Sequence, residues 1–183
     1  MEEMSVALDG VFQTTTTPVA VIAARLILAA VLGAILGLER EWQEKPAGLR
    51  THMVTALAAA TFAVLTLEIV DLFEGAGDNV RSDPIRLIDS ITAGVAFLAA
   101  GVILHSRGRV EGLTTGAGMW LSGAIGAAAG LGYGIIAMLG TGIGLFIILA
   151  LRIVSAKVPG DEDNGGHGKQ AGREAGGKEK REA

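Results

Sequence analysis

The sequence predicts an all-α membrane protein, a bundle of about five transmembrane helices. Half of its 183 residues are hydrophobic, with 27 glycines and only four prolines. The apolar residues gather into five blocks of 18 to 20, and the basic residues fall between the blocks in an alternating pattern. A helix rises about 1.5 Å per residue, so about 20 apolar residues cross a hydrocarbon core of about 30 Å. A soluble helix would show a polar stripe every three or four residues, and these blocks show almost none.

The blocks are Val19–Leu38, Thr51–Val70, Ile85–Leu104, Leu113–Leu131 and Gly134–Leu151. Before the first, residues 1–18 carry Glu2, Glu3 and Asp9 but no lysine or arginine. The basic lead-in of a cleavable signal peptide is missing, so we expect a retained first span behind a short extracytoplasmic segment. Residues 19–154 then form the transmembrane domain. Between the fourth and fifth spans only a few residues remain, Gly130-Leu131-Gly132-Tyr133-Gly134, which makes those two spans antiparallel neighbours. After Val158 the chain has no aromatic or branched aliphatic residue. Such a stretch cannot bury enough surface to offset its ordering entropy, and residues 155–183 are expected to be a disordered cytoplasmic tail.

Lysine and arginine resist translocation, so cytoplasmic loops accumulate them. With the amino terminus outside, the inner segments 39–50, 105–112 and everything after 151 hold 12 of the 15 basic residues. Only Arg25, Arg81 and Arg86 fall on the outer half. A multi-pass protein with its amino terminus out and its carboxyl terminus in is the expectation. Cysteine is absent, which removes disulfides, thiolate metal sites and cysteine nucleophiles.

A short internal repeat sets the expected arrangement. Arg25-Leu26-Ile27 opens the first span and Arg86-Leu87-Ile88 the third. Gly48-Leu49-Arg50-Thr51 leads into the second and Gly112-Leu113-Thr114-Thr115 into the fourth. Two parallel helical hairpins plus one helix follow from that order, an arrangement known among transporters. Small residues at four-residue spacing let backbones approach inside lipid. They occur as Gly33 and Gly37, as Thr92, Ala96 and Ala100, as Ser122, Gly126, Gly130 and Gly134, and as Gly140 and Gly144. Helix packing is their first reading, and a permeation path the alternative.

Ionisable groups in lipid cost about 3 kcal/mol on insertion scales and usually find partners. Asp89, four residues into the third span, and Arg25, six residues into the first, lie at similar depth. Asp89 either binds a cation from the outer side, as the one candidate metal ligand, or pairs with Arg25, or snorkels to the interface. At the inner end Glu39, Arg40, Glu41, Glu44, Lys45, Arg50, Thr51 and His52 converge across a short loop, as a topology anchor or a site. Trp42 belongs to the interfacial aromatic belt. Asp71, Glu74, Asp78 and Asp83 form an acidic outer loop able to concentrate magnesium, or an ordinary solvated loop. The three histidines are too scattered for zinc. No phosphate-binding glycine loop and no nucleophile–base pair is present, so enzymatic chemistry is not expected.

Three stretches carry a family resemblance: GLEREWQEKPAGLRTHMVTALAAA (Gly37 to Ala60), GVAFLAAGVIL (Gly94 to Leu104) and VEGLTTGAGMWLSGAIGAAAG (Val110 to Gly130). Together they resemble the MgtC/SapB family of bacterial membrane proteins. The resemblance marks Glu39, Arg40, Arg50, Thr51 and His52, then Gly94, Phe97, Leu98 and Gly101, then Gly112, Leu113, Thr114, Thr115 and Trp120. Gly94 and Gly101 join Gly33, Gly37, Gly126 and Gly130 as expected packing positions. The resemblance implies an inner-membrane location and a role in magnesium transport or homeostasis. Its alternative is a regulatory module acting on another membrane complex such as ATP synthase. The expected partners are the lipid bilayer, further copies of the chain or another membrane protein, and not nucleic acid. No cofactor is expected, magnesium entering as substrate or ligand. Two departures stand out, Asp89 at a position where the family carries an uncharged polar residue, and Ala99 in place of glycine. Larger family members also carry a folded soluble domain after the last span, where this sequence has the tail.

Overall fold

The computed structural model describes residues 14–75, 85–106 and 109–157. The extracytoplasmic segment up to residue 13, the outer loop 76–84 with Asp78, Arg81 and Asp83, residues 107–108, and the tail from 158 onward lie outside them. Five helices appear among the described residues: α1 (Val19–Trp42), α2 (Leu49–Gly75), α3 (Ile85–Val102), α4 (Leu113–Gly130) and α5 (Gly134–Lys157). A ribbon of two three-residue strands, β1 (Leu104–Ser106) and β2 (Arg109–Glu111), joins α3 to α4, with Leu104 opposite Glu111 and Ser106 opposite Arg109. The sequence reading did not foresee this ribbon. The chain divides into two compact units at Ile147–Ile148, and the bundle belongs to the first.

Glycine makes the corner after the ribbon. Gly112 caps α4 at φ 86°, a left-handed conformation that side chains rarely adopt, and a Cβ there would run into the Val102 carbonyl. Gly132, at φ 90°, does the same in the turn from α4 to α5. At α1, Pro18 precedes the first helical residue, and its carbonyl accepts from Val21 and Ile22.

The core is made of small residues. Of the 17 buried hydrophobic residues described, ten are alanine, while valine, isoleucine, leucine and phenylalanine cover the outside. A water-soluble protein reverses that order; in lipid, where oily surface gains nothing by hiding, close backbone contact holds helices together. The contacts show this directly. A Cβ on Gly33 of α1 would stand 2.7 Å from the His52 carbonyl oxygen, and one on Gly37 2.8 Å from the Leu49 Cα. These pairings make α1 and α2 antiparallel. Along α4, Gly126 abuts the Ala56 backbone and Gly130 lies where a Cβ would be 2.7 Å from the Ala60 Cα. With Ser122 bonded to His52, these three contacts share one 70-residue offset, so α2 and α4 run parallel. On its other flank α4 meets α3 head to tail, Gly116 against Ala99 and Gly123 against Val95. The parallel hairpins read from the short repeats therefore stand, α1–α2 beside α3–α4.

Three helices among the described residues are long and apolar enough to cross a bilayer: Val19–Trp42, the Leu49–Leu72 part of α2, and Ile85–Val102. Gly134–Ala150 is apolar but shorter. Of the five expected spans, the fourth, α4, is not among these helices. This helix holds five glycines and five alanines in 18 residues, and 11 of its positions are buried. Packed against α1, α2 and α3, it is the central helix, and its composition answers to neighbouring backbones rather than to lipid.

Two packing expectations fail on α3. Among the described residues, no atom lies within 4 Å of a Cβ added at Gly94 or Gly101, so neither meets another helix there. The expected ladder Thr92, Ala96 and Ala100 is displaced by one position: Ile91, Val95 and Ala99 are the buried residues. Branched side chains form this contact, fitting against Ala59 of α2 and Ala127 of α4, and the small residues face outward.

Candidate functional site

Of the polar residues marked by sequence, Glu39, Arg40 and His52 lie buried at the Trp42 end of the bundle. The last turn of α1 places Glu39 and Arg40 in the interior, 5% and 4% exposed, because Gly33 and Gly37 draw that end of α1 onto α2. The Arg40 guanidinium holds the Glu39 carboxylate through Nε and Nη2, both at 2.5 Å, and the Gln43 amide donates to the other Glu39 oxygen. A buried pair of this kind needs its remaining lone pairs met by hydrogen bonds, and Gln43 does that. Glu41 reaches across the loop and accepts from the Leu49 amide at 2.9 Å, placing negative charge at the amino end of α2 where the helix dipole favours it. The loop turns at Glu44, whose φ of 52° makes it the one non-glycine residue with positive φ among those described.

His52 lies at the centre of this end, fully buried. Its Nδ1 stands 2.9 Å from the Gly48 carbonyl. A carbonyl only accepts, so Nδ1 carries the proton and Nε2 presents a lone pair. Nε2 is buried and has no hydrogen-bond partner among the described residues. It faces Gly118 of α4, where an added Cβ would lie 3.1 Å from it and within 4 Å of nothing else. Ser122, also fully buried, donates to the His52 main-chain oxygen at 2.8 Å. Thr115 and Thr55 are buried nearby in sequence, whereas Thr114 and Arg50 are exposed and Thr51 is half-buried.

Arg25 and Asp89, matched by depth in the sequence, do not form an ion pair. Arg25 donates to the Gly130 carbonyl at 3.3 Å, where the last turn of α4 leaves carbonyls unsatisfied and the helix dipole is negative. Asp89 projects from the exposed side of α3. Among the described residues Glu39–Arg40 is the one ion pair, and no group of three His, Cys, Asp or Glu side chains gathers as a metal site. The family-marked Phe97 is 81% exposed, on the same outward side.

At the opposite end the structure adds a cluster that sequence reasoning missed. Glu68 of α2 accepts from the Thr16 amide at 2.6 Å and the Thr17 amide at 3.1 Å, and the Thr16 hydroxyl also reaches Asp71 at 3.0 Å. Two carboxylates thereby fasten the approach to α1. A carboxylate one turn before an expected outer loop was the available signal. Between α3, α4 and the start of α5 lies a crevice of about 320 Å³, lined by Ile91, Val95, Trp120, Ala127 and Tyr133 among others. Its walls are almost wholly apolar, which suits hydrocarbon and not an ion.

A bundle with oily side chains outside, alanine and glycine inside, and its buried charge at one end is a helical integral membrane protein. The chain belongs to the MgtC family, whose family model matches residues 26–157. It is 34% identical over 154 residues to an uncharacterised protein of Haemophilus influenzae, covering 84% of this chain and 62% of that one. It is 38% identical over 112 residues to the Escherichia coli K12 protein named "Putative magnesium transporter YhiD", covering 59% and 50%. Protein MgtC of Salmonella typhimurium LT2 is 37% identical over 107 residues, covering 58% and 42%. The chain thus spans from about two fifths to three fifths of the length of these relatives. No solved structure matches it.

Proposed function

We propose that this protein serves magnesium transport or magnesium homeostasis in a bacterial inner membrane, with its amino terminus outside and its carboxyl terminus in the cytoplasm. The observation that carries the reading is its 38% identity to the Escherichia coli protein whose name states magnesium transport. The orientation rests on 12 of 15 basic residues falling in segments that share one side. In this reading the Trp42 end faces the cytoplasm. Asp89 offers the oxygen chemistry that magnesium prefers, since that ion keeps several waters and needs only one or two carboxylates.

The test is flux. The full chain, purified and reconstituted into liposomes loaded with a magnesium-sensitive dye, is expected to admit magnesium down its gradient, and Asp89→Asn to slow it. Absence of flux from protein that unfolds cooperatively in detergent rules out transport. Growth of a deletion strain at low magnesium, complemented equally by parent and empty vector, rules out homeostasis as well.

A further inference from the structure

The crevice between α3, α4 and the start of α5 has a length and a direction. Ala124, Ala127 and Ala128 of α4 leave the space, and branched side chains of α3 and α5 border it. Its lining runs from Ile88 to Val95 on α3, about 10 Å by helical rise, and from Trp120 to Leu131 on α4, about 16 Å. Half of a hydrocarbon core of about 30 Å is about 15 Å. The crevice therefore follows one leaflet, from the Tyr133 end of the bundle to its middle. Trp120 and Ile136 on its border are 46% and 60% exposed, so it opens sideways toward lipid. A cation stands at the Tyr133 end. Gly132 lies between Leu131 and Tyr133, which both line the crevice, and a Cβ on it would be 2.9 Å from Arg25 Nη2. Among the described residues Arg25 makes one hydrogen bond, to Gly130, and no ion pair. Its other N–H donors are left over, at a depth where charges usually find partners.

We propose that the crevice holds one acyl chain of an anionic phospholipid whose phosphate pairs with Arg25. The chain is argued from the length and the apolar walls, the headgroup from charge. A guanidinium meets phosphate oxygens through parallel hydrogen bonds, and no described carboxylate pairs with this one. A zwitterionic headgroup brings its own ammonium, which competes with Arg25 for the phosphate, so a net negative lipid is preferred. Arg25 keeps its bond to the end of α4 through one N–H and offers the others to the lipid. The inference rests on the membrane fold and not on the magnesium reading, because lipid binding and flux are read separately.

The chain has two tryptophans, Trp42 and Trp120, and of these Trp120 borders the crevice. In a Trp42→Phe variant of the full chain, Trp120 fluorescence therefore reads the occupant. The probes are phosphatidylglycerol and phosphatidylcholine with dibrominated chains, each at low mole fraction in unbrominated phosphatidylcholine vesicles. Quenching of Trp120 is expected to give the anionic lipid a binding constant about fivefold higher. Adding Arg25→Gln should bring that ratio to about one, and Arg25→Lys should keep it above one. Ala124→Leu, which fills the crevice, should also abolish the preference. Phe62→Trp, exposed on α2, in a chain with Trp42→Phe and Trp120→Phe, should show none. Thermal unfolding in detergent confirms that each variant folds. Equal quenching by the two lipids at Trp120, or the same preference at position 62, overturns the proposal. So does a preference that survives Arg25→Gln. No quenching by either lipid would mean that protein, such as a second copy of the chain, fills the crevice, and overturns it as well.

Discussion

The Ser122 hydroxyl of α4 donates to the main-chain carbonyl of His52 in α2, across 2.8 Å. That bond lies in the tightest part of the bundle, where Gly118 and Gly126 flank Ser122 by one turn on either side. Ser122→Ala removes a donor and leaves the carbonyl with its ordinary helical partner. Its expected cost is about 1 kcal/mol. A calorimetric or denaturant titration in detergent measures it, and an unchanged unfolding midpoint would show that the hydroxyl does not hold α4 to α2.

Close approach makes a sharper prediction. A methyl group on Gly126 would overlap the Ala56 backbone, which cannot swing aside as a side chain can. Gly126→Ala should destabilise by about 1–3 kcal/mol, and Gly126→Leu by more. Gly94→Ala and Gly142→Ala, with nothing within 4 Å, should leave stability unchanged or raise it by up to about 1 kcal/mol through helix propensity. Equal losses at positions 126 and 94 would refute the assignment of packed and open faces.

Arg25 serves the end of α4, not Asp89. Arg25→Ala should cost about 1 kcal/mol through the lost bond to Gly130. A double-mutant cycle of Arg25→Ala with Asp89→Ala should be additive within about 0.5 kcal/mol. A coupling clearly above that would restore the pair that their matched depth suggested.

Glu39 and Arg40 should be strongly coupled. Glu39→Leu strands a buried guanidinium and should cost about 3 kcal/mol or more. Glu39→Leu with Arg40→Met should cost clearly less than the two single changes together. Additive costs would place both groups in contact with water.

At the other end, Glu68→Ala removes the acceptor of the Thr16 and Thr17 amides and should expose both. Hydrogen exchange at those two residues should quicken while the α2 interior stays protected. Unaltered exchange would mean that the carboxylate is not their acceptor.

Much of this fold was legible because lipid imposes simple rules. Apolar blocks gave the helices, and Gly48-Leu49-Arg50-Thr51 beside Gly112-Leu113-Thr114-Thr115 gave the parallel relation of α2 and α4. The ladders at Gly33/Gly37 and Gly126/Gly130 were readable because only backbone contact explains glycine repeated every turn in an apolar helix. The same rule failed on α3, where Ala96 and Ala100 are small but face outward, while branched Val95 makes the contact. Small size permits approach without requiring it. Depth alone could not pair Arg25 with Asp89, because depth fixes height in the bilayer and not angle about the helix axis. The inner polar group was readable as a cluster, yet the solitary Nε2 of His52 was not. Its surroundings depend on Gly118, 66 positions away in the chain.

The central helix has a consequence for how the protein is made. Leu113, Leu121 and Ile125 are the only branched aliphatic residues of α4, a weak signal to any insertion machinery that sorts segments by oiliness. Alone it would have little reason to leave water for the bilayer. Synthesis from the amino terminus delivers α1 and α2 first, and their glycine- and alanine-lined groove is waiting when α4 emerges. The order of genes' reading thereby supplies the cradle before its occupant.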